Sequence, residues 1–178
     1  MSNEQTKALN SYLSFKLGEE IFAANVSKVL NILEMTKITK VPKAPPYMKG
    51  VINLRGTVLP VIDTRIKFGL SATEMTANTC ILVLEVEVED DHLQVGGLVD
   101  SVQEVLEIED HQILPPPNIG NRFRSEFITG MYKLNEEQFI MLLNMDKIFS
   151  VDDLTLLGEH AAMINTANVE DVKKEKTK

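Results

Sequence analysis

The chain has 178 residues and 44% of them are hydrophobic, enough to build a packed core and too many for a disordered chain. Asp and Glu number 26 against 18 Lys and Arg, and the resulting charge of −8 repels polyphosphate, so no nucleic-acid partner is expected. The single cysteine, Cys80, excludes an internal disulfide and fits a reducing compartment.

Residues 1–10 are polar and read as a disordered N-terminus that does not have the pattern of a signal peptide. From Tyr12, polar Tyr12, Ser14 and Lys16 alternate with apolar Leu13, Phe15 and Leu17. Gly18-Glu19-Glu20 then turns the chain into Ile21-Phe22-Ala23, a β-hairpin pattern. The segment Val26–Leu33 is ambiguous: Val26, Val29 and Leu33 suit one helical face, while its β-branched residues favour a strand. Pro42, Pro45 and Pro46 mark a loop. Gly50–Leu54 and Thr57–Asp63 read as two strands joined at Arg55-Gly56.

Ile81–Glu89 is a strand whose second half points Leu84, Val86 and Val88 inward and Glu85, Glu87 and Glu89 outward. The carboxylates read as a solvated face that discourages edge pairing. Cys80, at the start of an apolar run, reads as a small packing residue. Val95–Leu98 is a further strand, with Gly96-Gly97 placed for a bulge or close packing. Pro115-Pro116-Pro117 breaks the chain, Phe139–Leu143 is a buried strand, and an amphipathic helix is expected from Asp152, followed by a charged tail. Many short strands with 9 Gly and 7 Pro point to small β-barrels with a few helical turns.

The two halves repeat. Val26–Ile32 resembles Val102–Ile108, each is followed by a proline segment, Gly50–Leu54 resembles Gly130–Leu134, and Pro60–Phe68 resembles Met141–Phe149. Two related lobes packed on each other follow from this, with a groove at their junction. Catalytic patterns are missing. His92, His111 and His160 fall in polar loops or the tail without a second ligand at metal spacing, and there is no nucleophile elbow or Walker loop. No cofactor and no metal are expected. No run approaches the ~20 apolar residues of a membrane span, so the protein reads as cytoplasmic with no direct membrane insertion.

At Gly50-Val51-Ile52-Asn53-Leu54-Arg55-Gly56 and Pro60-Val61-Ile62-Asp63 the sequence resembles the CheW family of chemotaxis coupling proteins. Further matching blocks are Phe15–Gly18, Val41-Pro42, Thr79–Val83, Gly97–Asp100, Ile113–Pro117, Phe127–Gly130 and Asp146–Ile148. The resemblance spans roughly Tyr12 to Ser150. It implies a mostly β fold of two pseudo-repeated SH3-like five-stranded barrels, with a CheW-like domain of two interleaved lobes over 11–155, repeats near 20–69 and 95–150, and a C-terminal helix and tail over 156–178.

The resemblance further implies a non-enzymatic adaptor. Its partners would be the cytoplasmic tip of methyl-accepting chemoreceptors and the C-terminal regulatory domain of the CheA histidine kinase, and the protein would be recruited to membrane receptor arrays. Receptor binding would fall to Val26, Val29, Leu30, Ile32 and Arg55, and kinase binding to Cys80, Leu114, Asn118 and Ile119. Competing readings are a β-barrel sensor with a small molecule in the inter-lobe groove, or a fragment of the kinase's regulatory domain. Three positions depart from the family pattern. Asn31 stands where Glu is frequent, Thr64 where Leu is usual, and Asn144 where the second repeat usually has Asp.

Overall fold

The computed structural model describes residues 10–116 and 127–148. The expected helix from Asp152, the charged tail, and Asn118 and Ile119 lie outside them.

Strands β1 (Asn10–Leu17) and β2 (Glu20–Asn25) form the first hairpin. A single 3-10 turn (Val26–Lys28) leads to β3 (Val29–Glu34), then β4 (Met48–Leu54), β5 (Thr57–Asp63) and the one-turn helix α1 (Thr64–Lys67). A second hairpin, β6 (Cys80–Val88) and β7 (Asp91–Val99), precedes β8 (Ser101–Ile108). A 3-10 turn (Asp110–Gln112) follows, then β9 (Ile113–Leu114), β10 (Ile128–Lys133), β11 (Phe139–Leu143) and α2 (Met145–Ile148). The ambiguity at Val26–Leu33 resolves into both states: the turn takes Val26, and the β-branched run becomes strand. His92 stands in β7, not in a loop.

The strands form two sheets, in the orders β8-β1-β2-β11-β10-β9 and β3-β6-β7-β5-β4. Each sheet is built round a hairpin from the other half of the chain. β2 pairs in parallel with β11, and β7 pairs in parallel with β5. The two lobes therefore exchange their hairpins, and the chain crosses between lobes at Val26–Lys28 and again at Asp100.

Both sheets curl back on themselves through the chain itself. In the first lobe β8 continues through the 3-10 turn into β9, which pairs with β10 at Met131–Leu114 and Tyr132–Ile113. In the second, the chain beyond β3 reaches β4 at the Thr39–Val51 bridge, closed by a 2.8 Å hydrogen bond in each direction. Gly50 and Gly130 lie beneath these two closures, and a Cβ on either would run into the returning chain.

The ladders shift one repeat match by three residues. Val29 opposes Leu84 and Val102 opposes Phe15, each just before a bulge. Beyond the bulge Ile32 opposes Leu82 and Val105 opposes Leu13. Val29 thus corresponds to Val102 and Ile32 to Val105, where residue identity alone had aligned Val26 with Val102. The β8 bulge is held by the Ser14 hydroxyl, which donates to the Glu104 carbonyl at 2.8 Å and accepts from its N–H at 3.1 Å. Ser14 and Tyr12 are both buried, although they alternate with the apolar residues of β1.

Three apolar clusters follow from the pleat. Ile52, Leu59, Val61, Ile81, Val83 and Leu98 fill the second lobe. Tyr12, Ala23, Ile108, Ile140 and Leu142 fill the first. A larger cluster lies between the lobes, where Leu13, Phe15, Leu17 and Phe22 meet Leu82, Leu84, Val86 and Val95. Phe15, Phe22 and Phe68 stack in series through it, with successive centroids 6.2 and 5.5 Å apart, and Phe127 meets Phe68 edge-on at 6.3 Å. Because β6 serves two cores, its residues 81–84 are apolar on both faces. β6 is also an inner strand paired on both sides up to Leu84. Only its Glu85–Val88 half, which pairs with no strand but β7, lies at the edge that the glutamates were expected to guard, and there the Asp146 carboxylate accepts from the Glu87 N–H. Gly96 is a site of close packing: a Cβ there would sit 2.8 Å from the Ile81 side chain.

Asp63 ends β5 fully buried. Its carboxylate accepts from the Arg65 N–H at 3.1 Å, the Thr73 N–H at 3.0 Å and the Thr73 hydroxyl at 2.8 Å. It caps α1 and pins the following loop. Asn144 repeats the cap on α2, accepting from the Asp146 N–H at 3.1 Å, as Asp63 does on α1. Thr64 is buried with its hydroxyl donating to the Leu98 carbonyl, which joins α1 to β7 where leucine would only pack. Asp63→Ala strands the buried Thr73 donors and should destabilise the protein by about 3 kcal/mol, with Asp63→Asn milder. Urea denaturation of the two variants checks the order.

Candidate functional site

The 3-10 turn Val26–Lys28 begins at Asn25, whose side chain accepts from the Ser27 N–H at 2.9 Å. β3 follows as a terminal strand of its sheet, with residues alternating between half-buried and exposed. Val29 packs against the inter-lobe core, whereas Val26, Leu30 and Ile32 are 38%, 46% and 46% exposed. Three large apolar side chains held out to water within seven residues form an unpartnered patch, and no core role accounts for them. Asn31 turns its side-chain oxygen to the Ile32 N–H at 2.8 Å.

Arg55 sits at the tip of the β4–β5 hairpin with φ +52, followed by Gly56 at φ +84. Two successive positive φ values make the tight turn whose twist matches that of the strands, and the Asn53 side chain braces it by accepting from the Gly56 N–H at 2.8 Å. The guanidinium is exposed, and among the described residues no ion pair engages it. The structure gives Arg55 and β3 to the same lobe but shows no hydrogen bond or ion pair joining them.

The residues expected to face a kinase fall on different lobes. Cys80 opens β6, opposite Glu34 of β3 and Val99 of β7. It lines a surface cavity of about 530 Å³ together with Met35, Thr76, Asn78 and, from the other lobe, Val102. Leu114 stands in β9, 41% exposed. Sequence reasoning passed over Val105, 57% exposed at the position corresponding to Ile32, and Phe139 and Leu134 at the β10–β11 hairpin, 41% and 38% exposed. The corrected repeat register would have drawn attention to Val105. For Phe139 the surrounding apolar run masked its outward face.

Burial pushes the Cys80 thiol above its ordinary value of 9.0, offset in part by a hydrogen bond with the Val102 backbone. The shift favours the protonated thiol, which fits a packing group. The folded state holds this proton more tightly than the unfolded state. Its contribution to stability is therefore complete below 9.0 and is lost as pH rises from there through the raised folded value. Tyr12, raised from 10.0 chiefly by burial, adds a second loss at higher pH. Urea midpoints at about pH 8 and about pH 10 should converge in Cys80→Ala relative to the parent, with the Tyr12 share of the decline remaining. An equal decline in both proteins would contradict this.

Among the described residues no group of three or more His, Cys, Asp or Glu is arranged to hold a metal ion, and no helix is long and apolar enough to cross a membrane. The geometry is that of two packed barrels presenting apolar and cationic surface features. The CheW-like domain family matches residues 11–153, the two lobes together. The chain belongs to that family. The chemotaxis protein CheW of Rhizobium meliloti is 36% identical over 79% of this chain and 88% of its own length. That of Klebsiella aerogenes is 33% identical over 84% and 87%. Among solved structures, the scaffolding protein TtCheW from Thermoanaerobacter tengcongensis superposes with a TM-score of 0.71 at 27% identity, covering 86% of this chain and 96% of that one.

Proposed function

We propose that this CheW-like protein is a chemotaxis adaptor. It carries no catalytic activity and controls the CheA histidine kinase by holding its regulatory domain against the cytoplasmic tip of a methyl-accepting chemoreceptor. The observation that carries the reading is the match of the family over both lobes, together with relatives named as chemotaxis and scaffolding proteins that align over nearly their full lengths. The exposed Val26, Leu30 and Ile32 offer an apolar seat for a helical hairpin tip, a helix-in-groove contact. Half-buried Val29 backs that seat from the core side. Arg55, whose guanidinium forms no ion pair among the described residues, suits carboxylates or carbonyls on the same partner. Cys80 and Leu114, with Asn118 and Ile119 beyond the proline run, are assigned to the kinase. Working as an adaptor places the protein in the cytoplasm, at receptor arrays.

The test is co-sedimentation of kinase with receptor-containing membranes. Kinase should pellet, and its activity should come under receptor control, only when this protein is added. Unchanged pelleting without it would end the proposal. The absence of catalysis is checked by calorimetry with ATP: no saturable heat is expected at micromolar protein, and a binding isotherm there would contradict the adaptor reading.

A further inference from the structure

The two places where the chain crosses between lobes carry matching electrostatic contacts of opposite polarity. At the first crossing Lys28 ends the 3-10 turn, and its ammonium lies 2.9 Å from one carboxylate oxygen of Asp146 on α2. The other oxygen accepts from the Glu87 N–H of β6, in the opposite lobe, at 2.8 Å. At the second crossing Asp100 links β7 to β8. One of its oxygens accepts from the Gly18 N–H of the β1–β2 hairpin at 2.6 Å, and the other lies 3.8 Å from the guanidinium of Arg65 on α1.

The ladders make these positions equivalent. Arg65 and Asp146 occupy the second residue of the matching helices, two residues beyond their Asp63 and Asn144 caps. Gly18 and Glu87 each stand three residues beyond the strand position that opposes Val102 or Val29. In both contacts a carboxylate reads the amide of one lobe's hairpin while an ion pair joins a crossing residue to the other lobe's helix. The crossing supplies the cation in the first and the anion in the second. All four side chains are 18–29% exposed, so water screens the pairs only in part. The second is the slacker: Arg65 Nε and Asp100 Oδ1 are buried without a hydrogen-bond partner.

We propose that these two contacts are latches that set the angle between the lobes, and that Lys28 and Asp146 are positioning residues for the β3 surface. The apolar core between the lobes is non-directional and tolerates small rotations, whereas an amide–carboxylate–cation chain does not. Lys28 stands immediately before Val29, so the first latch fixes where Leu30 and Ile32 emerge. This last step rests on the assignment of β3 to the receptor.

Asp100→Asn and Asp146→Asn retain an acceptor for each amide and remove the charge. Spin labels at Lys40 and Glu137, both exposed and in opposite lobes, report the angle in a Cys80→Ser background. The double variant should show a distance distribution about twice as broad as the parent, each single variant an intermediate one, and about 1 M salt should broaden the parent in the same sense. A folded double variant with the parent distribution overturns the latches. Binding to receptor membranes supplies the second readout. Lys28→Gln should weaken it several-fold and Lys28→Arg should restore it, and failure of Arg to restore it overturns the positioning role. A broadened distribution with receptor binding intact upholds the latches and instead defeats the assignment of β3 to the receptor.

Discussion

Gly50→Ala is expected to cost about 4 kcal/mol or more, enough to unfold a marginally stable domain, whereas Gly130→Ala at the corresponding position should cost about 1–3 kcal/mol. The two glycines lie under the two closures of the barrels, but what they touch differs. A Cβ on Gly50 would sit 2.2 Å from the Thr39 carbonyl oxygen and 2.9 Å from its carbon. That carbonyl is fixed, because Thr39 and Val51 exchange the two hydrogen bonds that close the second lobe. Moving it breaks the closure, and Gly50 also has φ +149, a conformation side chains rarely adopt. At Gly130 the nearest atom is a methyl of Ile113 at 2.4 Å, which a rotamer change can withdraw, and the Leu114 carbonyl follows at 3.0 Å. Urea denaturation of both variants decides the point. If Gly130→Ala proves the more damaging, the Thr39–Val51 bridge does not hold the second lobe as argued.

How much of this was legible beforehand depends on which kind of information each residue carries. Alternation located β1 and the outer half of β6, where one face is wet and writes its period into the sequence, while apolar runs and turn residues located β2, β4, β5, β7 and β11. The resemblance implied interleaved lobes, but the residues themselves did not say which hairpin crosses to which lobe. A repeat in sequence shows that two segments share a form, but not whether each hairpin folds onto its own half or the other. Ser14 misled for a related reason: its hydroxyl is buried because it fills the bulge of β8, a strand ninety residues away. The ion pairs Lys28–Asp146 and Arg65–Asp100 were hidden as well, since their partners lie far apart in the sequence and no local pattern joins them. At the candidate site, the exposure of Val26, Leu30 and Ile32 follows from the terminal position of β3 in its sheet, a property of topology that composition does not carry. The role proposed for Arg55 rests on the family resemblance, because a turn arginine has no local signature of binding.

The adaptor reading makes its largest functional demand at the two partner surfaces, which should be separable by point substitution. An adaptor that holds both partners at once cannot use one patch for both. Ile32→Glu places a carboxylate in the exposed apolar patch of β3, and Arg55→Glu reverses the charge at the hairpin tip, so any receptor carboxylate it met would face repulsion. Each should weaken receptor binding by about 2 kcal/mol, roughly thirtyfold, and leave kinase binding near the parent value. Leu114→Asp and Ile119→Asp should do the reverse. Ile32 and Leu114 are 46% and 41% exposed, so their replacement removes little buried apolar surface, and melting should stay within a few degrees of the parent. Cys80 provides a control of another kind. It belongs to the sheet that carries β3 yet is assigned to the kinase, so Cys80→Ser should affect kinase binding alone if the two surfaces divide by partner and not by lobe. The five substitutions are measured against receptor and kinase separately. Should folded variants from both sets weaken both partners alike, one continuous surface serves receptor and kinase, and the two-surface adaptor fails.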